Sequence, residues 1–127
     1  MNTLTVHVPA PFDEVLQATR DALAEQGFGV LTEIDVTSTM KAKLDRDLEP
    51  FVILGACNPT LAYQALSSQR SIGTLLPCNV VVREQQDDVL VEAVDPLLML
   101  GMVDDEKVRA TATEAAERLS NALASIG

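Results

Sequence analysis

The sequence predicts a single α+β domain in which a sheet packs against helices. Three observations lead there: a strand-period stretch at the start, a pair of apolar strands around a polar turn, and a long helix-period stretch at the end. At 127 residues the chain can bury roughly two-thirds of its unfolded surface, enough for one core. Only four residues are aromatic (Phe12, Phe28, Phe51 and Tyr63), so that core must be aliphatic.

Thr3 to Val8 alternates Leu4, Val6 and Val8 with Thr3, Thr5 and His7, the pattern of a half-buried strand. Pro9 and Pro11 end it. Phe12 to Gln26 then places Val15, Thr19, Ala22 and Leu23 on one helical face. Asp13 and Glu14 suit the positive end of that helix, and Gly27 is a natural stop. Phe28 to Ile34 reads as a second strand. Val36, Met40 and Leu44 recur every four residues, predicting a short amphipathic helix capped by Asp35 or Thr37. Lys41, Lys43 and Arg46 belong to its solvated side.

Phe51 to Ala56 is a continuous apolar run of strand length, expected to be a central strand buried on both faces. Asn58 as cap and Pro59 as first helical residue open another helix, with Leu61, Ala62, Ala65 and Leu66 as its packing face. Val80 to Glu84 and Val89 to Val94 flank Gln85-Gln86-Asp87-Asp88 as a hairpin. Counting outward from the turn pairs Glu84 with Val89 and Val80 with Ala93, and sets Cys78 opposite Asp95 within one residue. After Asp95-Pro96 comes an apolar link, Leu97 to Val103, which carries Met99 and Met102. The last helix begins near Asp104, with Val108, Ala112, Ala115, Leu119, Ala122 and Ile126 along its inner side.

Nineteen acidic residues against nine basic ones give a net charge of -10, with no basic cluster. That surface repels polyanions, so neither nucleic acid nor an anionic membrane is an expected partner. The longest apolar stretches are too short to span a bilayer. No signal-peptide pattern is present, so a cytoplasmic location with reduced thiols is expected. Two cysteines and the single His7 cannot make a standard zinc site, and no metal is expected. No cofactor is named by any motif.

The candidate site lies at the two cysteines. Each sits in a Cys-Asn pair where an apolar run meets a proline-containing break: Gly55-Ala56-Cys57-Asn58-Pro59 and Leu76-Pro77-Cys78-Asn79-Val80. Cys57 precedes a helix start, whose exposed amides and dipole would stabilise a thiolate. Burial is the opposing reading, because free cysteines are among the most buried residues. Asn58 caps the helix, and Asp95 ends a strand or stands as a base beside Cys78. If the strand ending at Cys57 runs antiparallel to the one starting at Cys78, both thiols share one end of the sheet. A parallel crossover would set them roughly 20 Å apart.

Ile53-Leu54-Gly55-Ala56-Cys57-Asn58-Pro59 and Leu75-Leu76-Pro77-Cys78-Asn79-Val80 resemble domain-of-unknown-function family 302. The flanking Gly27-Phe28-Gly29-Val30 into Glu33-Ile34-Asp35, and Asp95-Pro96 after the hairpin, agree with it over nearly the whole chain. The resemblance implies a β-α-β4-α order with extra short helices and a curved, mainly antiparallel sheet like that of the TATA-binding-protein class, crossed by a long terminal helix. It favours both thiols at one end of the sheet, and it implies no activity. DNA binding does not follow from such a fold.

The expected function is therefore a ligand-binding or interaction module with its site around Cys57, Asn58, Cys78 and Asp95, taking a small apolar or thiol-reactive molecule. Its alternative is thiol chemistry at Cys57, as a redox sensor or a persulfide carrier. Soft-metal binding by the thiols with Met99 or Met102 is a third expectation, in which copper(I) is preferred to zinc. A homodimer through a sheet edge or the Leu97 to Val103 link is the fourth.

Overall fold

The computed structural model describes residues 3–127. Five strands form one fully antiparallel sheet in the order β1-β5-β4-β3-β2. They are β1 (Thr3–Val8), β2 (Gly29–Asp35), β3 (Phe51–Cys57), β4 (Cys78–Gln85) and β5 (Asp88–Val94). Five helices accompany them: α1 (Phe12–Glu25), α2 (Val36–Leu44), α3 (Pro59–Ser68), α4 (Pro96–Leu100) and α5 (Glu106–Ile126). A 3-10 turn over Arg70–Leu75 follows α3. Without the short helices the order is the expected β-α-β4-α. No helix among the described residues is long and apolar enough to cross a membrane.

The local signals act as the sequence suggests. Gly27 takes φ +84, which only a residue without Cβ adopts cheaply, and turns the end of α1 into β2. Asp35 rather than Thr37 caps α2, accepting from the Ser38 amide at 2.9 Å. Thr37 instead ties α2 to the start of β3: its hydroxyl donates to the Glu49 carbonyl at 2.7 Å and accepts from the Phe51 amide at 2.9 Å. The hairpin register is as counted, Glu84 opposite Val89 and Val80 opposite Ala93. The last helix is capped by Asp105, which accepts from the Lys107 and Val108 amides.

Two cores result. In the larger one, α1 and α5 lie on a single face of the sheet, where Leu23, Leu54, Val80, Val82, Val91 and Leu119 are fully buried. The smaller one gathers Ala65, Ile72, Leu100, Val108 and Ala112 from α3, the 3-10 turn, α4 and the first turns of α5. The apolar link expected to need outside cover is thus partly a helix, with Leu100 inside the second core and Met102 85% exposed.

The expectation that Phe51 to Ala56 is a central strand buried on both faces is corrected. The central strand is β4, with β3 beside it. Along β3, Val52, Leu54 and Ala56 point into the larger core, whereas Phe51 and Ile53 are only half-buried. The physical reason is that the chain supplies helices for one face of the sheet alone. On the other face, Ile34, Ile53 and Val81 form one cross-strand row, and Phe51 and Leu90 flank Arg83 in the next.

Candidate functional site

Antiparallel pairing of β3 with β4 brings the two Cys-Asn motifs to one end of the sheet. Ala56 faces Cys78 and Gly55 faces Asn79, so Cys57 lies one rung beyond Cys78. Both thiols are free; Cys57 is half-buried and Cys78 buried. This end is also where the two cores meet. A cavity of about 30 Å³ lies in the seam, walled by Cys57, Cys78, Phe28, Leu61, Leu76 and Leu100 among others. It is apolar and holds no more than about one water-sized body.

Burial, rather than the helix that follows, dominates the surroundings of Cys57. Burial pushes its thiol up from the ordinary range, and no hydrogen bond to the helix start opposes this. The expected thiolate site is already occupied, because the Asn58 side chain accepts the Leu61 amide at 3.2 Å. Cys78 is also pushed up, first by burial and then by the nearby Cys57. The surroundings of both sulfurs therefore favour neutral thiols.

Asn58 is a structural clamp as well as a cap. Its Nδ2 donates to the Gln26 carbonyl at 3.5 Å, and Arg118 donates to the same oxygen at 3.1 Å. A Cβ at Gly27 would stand 3.0 Å from that Nδ2, so the glycine is needed for close approach as well as for its φ. Asp95 is engaged elsewhere than at a thiol: its carboxylate caps α4, accepting from the Leu97 amide at 2.9 Å. Among the described residues no cluster of three or more His, Cys, Asp or Glu could hold a metal ion.

The larger concavity near this end lies on the sheet face that no helix covers. It measures about 500 Å³, and its floor includes Phe51, Val81 and Val94. Leu75, Leu76, Pro77 and Met99 wall one side, with Thr3, Thr74, Asn79 and Glu92 as polar groups around it. Glu92 is held by Arg83, whose Nε donates at 2.7 Å, and by the Thr3 hydroxyl at 3.4 Å. Gly55 keeps the wall in place: a Cβ there would overlap the Thr32 hydroxyl and lie 2.9 Å from Pro77 Cγ. A volume of this size with apolar walls and few polar groups is typical of small-molecule sites. A comparable groove of about 520 Å³ between α3 and α5 is lined largely by polar side chains, including Gln64, Ser67, Ser68, Lys107 and Glu114.

Sequence reasoning found the Cys-Asn end of this region but missed the groove. The signal that could have found it is the second apolar alternation of the strands, Phe51 and Ile53 with Val81, which one layer of helices cannot cover.

The family described as domain of unknown function DUF302 matches residues 4–126 of the chain. The crystal structure of an uncharacterized conserved DUF302 protein from Bacillus stearothermophilus is 30% identical and superposes with a TM-score of 0.90. The match covers 98% of this chain and 97% of that one. No curated protein matches the chain.

Proposed function

The chain belongs to the DUF302 family, and we propose that it is a cytoplasmic binding module rather than a thiol enzyme, taking a compact apolar molecule in the groove on the open face of its sheet. The observation that carries this reading is the groove of about 500 Å³, with Phe51, Val81, Val94, Pro77 and Met99 around it. Its polar groups can orient a ligand but do not assemble a reacting centre. Glu92, the one carboxylate there, is already engaged by Arg83 and Thr3. The thiols contribute as walls of the seam behind the groove, since burial holds both in the neutral form. With a net charge of -10, the partner is neither nucleic acid nor an anionic membrane.

Titration with a neutral naphthylamine dye tests the reading. Saturable fluorescence enhancement with one site per chain is expected. Met99→Glu, at a half-buried groove position, should weaken it at least tenfold, the equivalent of about 1.4 kcal/mol, without changing the melting temperature. No saturable binding, or binding indifferent to Met99→Glu, would overturn it. Native mass spectrometry of the purified protein would then identify what occupies the groove.

A further inference from the structure

We propose that the uncovered face of the sheet is a homodimer interface, on which a second copy of this chain packs about a twofold axis. An antiparallel sheet that meets water on one face normally alternates apolar and polar residues. Here both alternations are apolar in the middle strands: Phe51 to Leu54, Val80 to Val82 and Val89 to Val91 are unbroken runs. Helices α1 and α5 account for one alternation. The other, made of Ile34, Phe51, Ile53, Val81, Leu90 and Val94, belongs to neither core. Ile34 is 48% exposed, Phe51, Ile53, Val81 and Val94 are half-buried with no helix layer over them, and Leu90, opposite Arg83 and His7, is buried. Sequence of this kind fits a sheet covered on both sides, and the described chain supplies one cover.

Charge identifies the occupant. Two copies of a -10 chain repel each other, so they can meet only where charge is locally compensated. The open face meets that condition. Its Arg83 and Glu92 form a half-buried ion pair that leaves the middle of the face without net charge. A basic partner would be drawn to the acidic helical surfaces instead of this neutral apolar face.

The size also fits. Five strands spaced about 4.8 Å, each several residues long at about 3.3 Å per residue, present roughly 500 Å² of plane. The Leu75–Pro77 ridge stands beside it and brings the surface towards the roughly 800 Å² per partner of a stable interface. Face-to-face packing of two sheets suits a twofold axis, with side chains interdigitating across about 10 Å. Pairing through the edge of β2 is less suited, because a bulge between Val30 and Thr32 breaks its ladder. The second copy would also roof the ligand groove, but dimerisation does not depend on the groove being filled.

Sedimentation velocity on the full chain tests this. The wild-type protein should run at twice the chain mass of 13.6 kDa. Ile34→Glu and Thr5→Glu, both at positions exposed in the monomer, should each weaken the dimer at least a hundredfold, and circular dichroism should show them folded. Two variants guard against one that fails to fold. Met102→Glu, on the exposed end of the α4 segment, should remain dimeric. A monomeric wild type at hundreds of micromolar would overturn the proposal. So would a dimer that survives Ile34→Glu and Thr5→Glu, or one broken by Met102→Glu alone. Repeating the dye titration on the monomeric Ile34→Glu variant, whose substitution lies outside the groove lining, keeps failure of the two readings distinguishable.

Discussion

Gly55→Ala is the substitution whose outcome the geometry constrains most closely. Gly55 pairs with Thr32 on one side and Asn79 on the other. A methyl group there overlaps the Thr32 hydroxyl and approaches Pro77 Cγ to 2.9 Å, closer than real Cβ atoms tolerate. The two neighbours differ in how they can yield. Thr32 lies on an exposed edge strand, so its hydroxyl can turn aside into another rotamer at a modest cost. The Pro77 ring has no such freedom and must move with its backbone, taking the groove wall with it. Overpacking of this kind costs about 1–3 kcal/mol. For a domain of 127 residues, an unfolding entropy near 2.1 cal/mol/K per residue converts that to a loss of roughly 4–11 °C in melting temperature. Thermal and urea denaturation of Gly55→Ala, Thr32→Ala and the double variant measure it. In the Thr32→Ala background the remaining Cβ would be 3.5 Å away, an ordinary contact. The cost of Gly55→Ala should therefore fall by about 0.5–1 kcal/mol there, leaving the part owed to Pro77. A stability change within about 0.5 kcal/mol in the wild-type background would refute the packing account. So would a cost undiminished by Thr32→Ala.

Asp105 caps α5 and accepts from the Ser68 hydroxyl at 2.5 Å, and that bond, followed by the Val108 amide, holds its carboxyl below the usual range. A lowered folded pKa stabilises the fold above the unfolded carboxylate pKa and is lost as pH falls through the folded one. Asp105→Ala should therefore lower the melting temperature at neutral pH, with the gap to wild type narrowing below about pH 4. A gap independent of pH would count against the charged cap. The raised thiols of Cys57 and Cys78 have the opposite sign: they leave stability intact at neutral pH and subtract from it above about pH 8.5, where the unfolded thiols ionise. Site-resolved alkylation should be slow at pH 7 for both and slower for buried Cys78; fast Cys57 labelling that persists from pH 8 to 6 would reinstate an activated thiol.

Local punctuation in this chain was highly legible. The Asn58-Pro59 start, the stop at Gly27 and the hairpin count around Gln85 to Asp88 each depend on one or two residues acting on their own backbone, so sequence alone places them. Pairing between β3 and β4 was not of that kind. Their connection of about twenty residues permits either direction, and only the family resemblance favoured the antiparallel arrangement that the sheet adopts. The second core was also hidden. Ile72 and Leu100 are unremarkable in sequence, and they meet because α3 and α4 both pack on α5. The surroundings of Cys57, which oppose rather than favour a thiolate, are visible only in three dimensions. Its neighbour Asn58 fills the first-turn amide site, and the seam between the cores desolvates the sulfur.

The two Cys-Asn pairs look like an echo in sequence, yet their asparagines have separate tasks. Asn58 is buried and fastens the β3–α3 turn to the end of α1, whereas Asn79 is exposed at the groove, opposite Gly55. What the motifs share is the place where the strands leave the larger core for the smaller one. Leu76 is the physical link across that place, since it borders both the groove and the small cavity that the two thiols share. Protein interiors pack at crystal-like density, so a side chain pressed from one side passes the displacement to its neighbours on the other. If the proposed groove is filled, Leu76 is the side chain through which its occupant would meet the seam between the cores, without either sulfur touching the ligand.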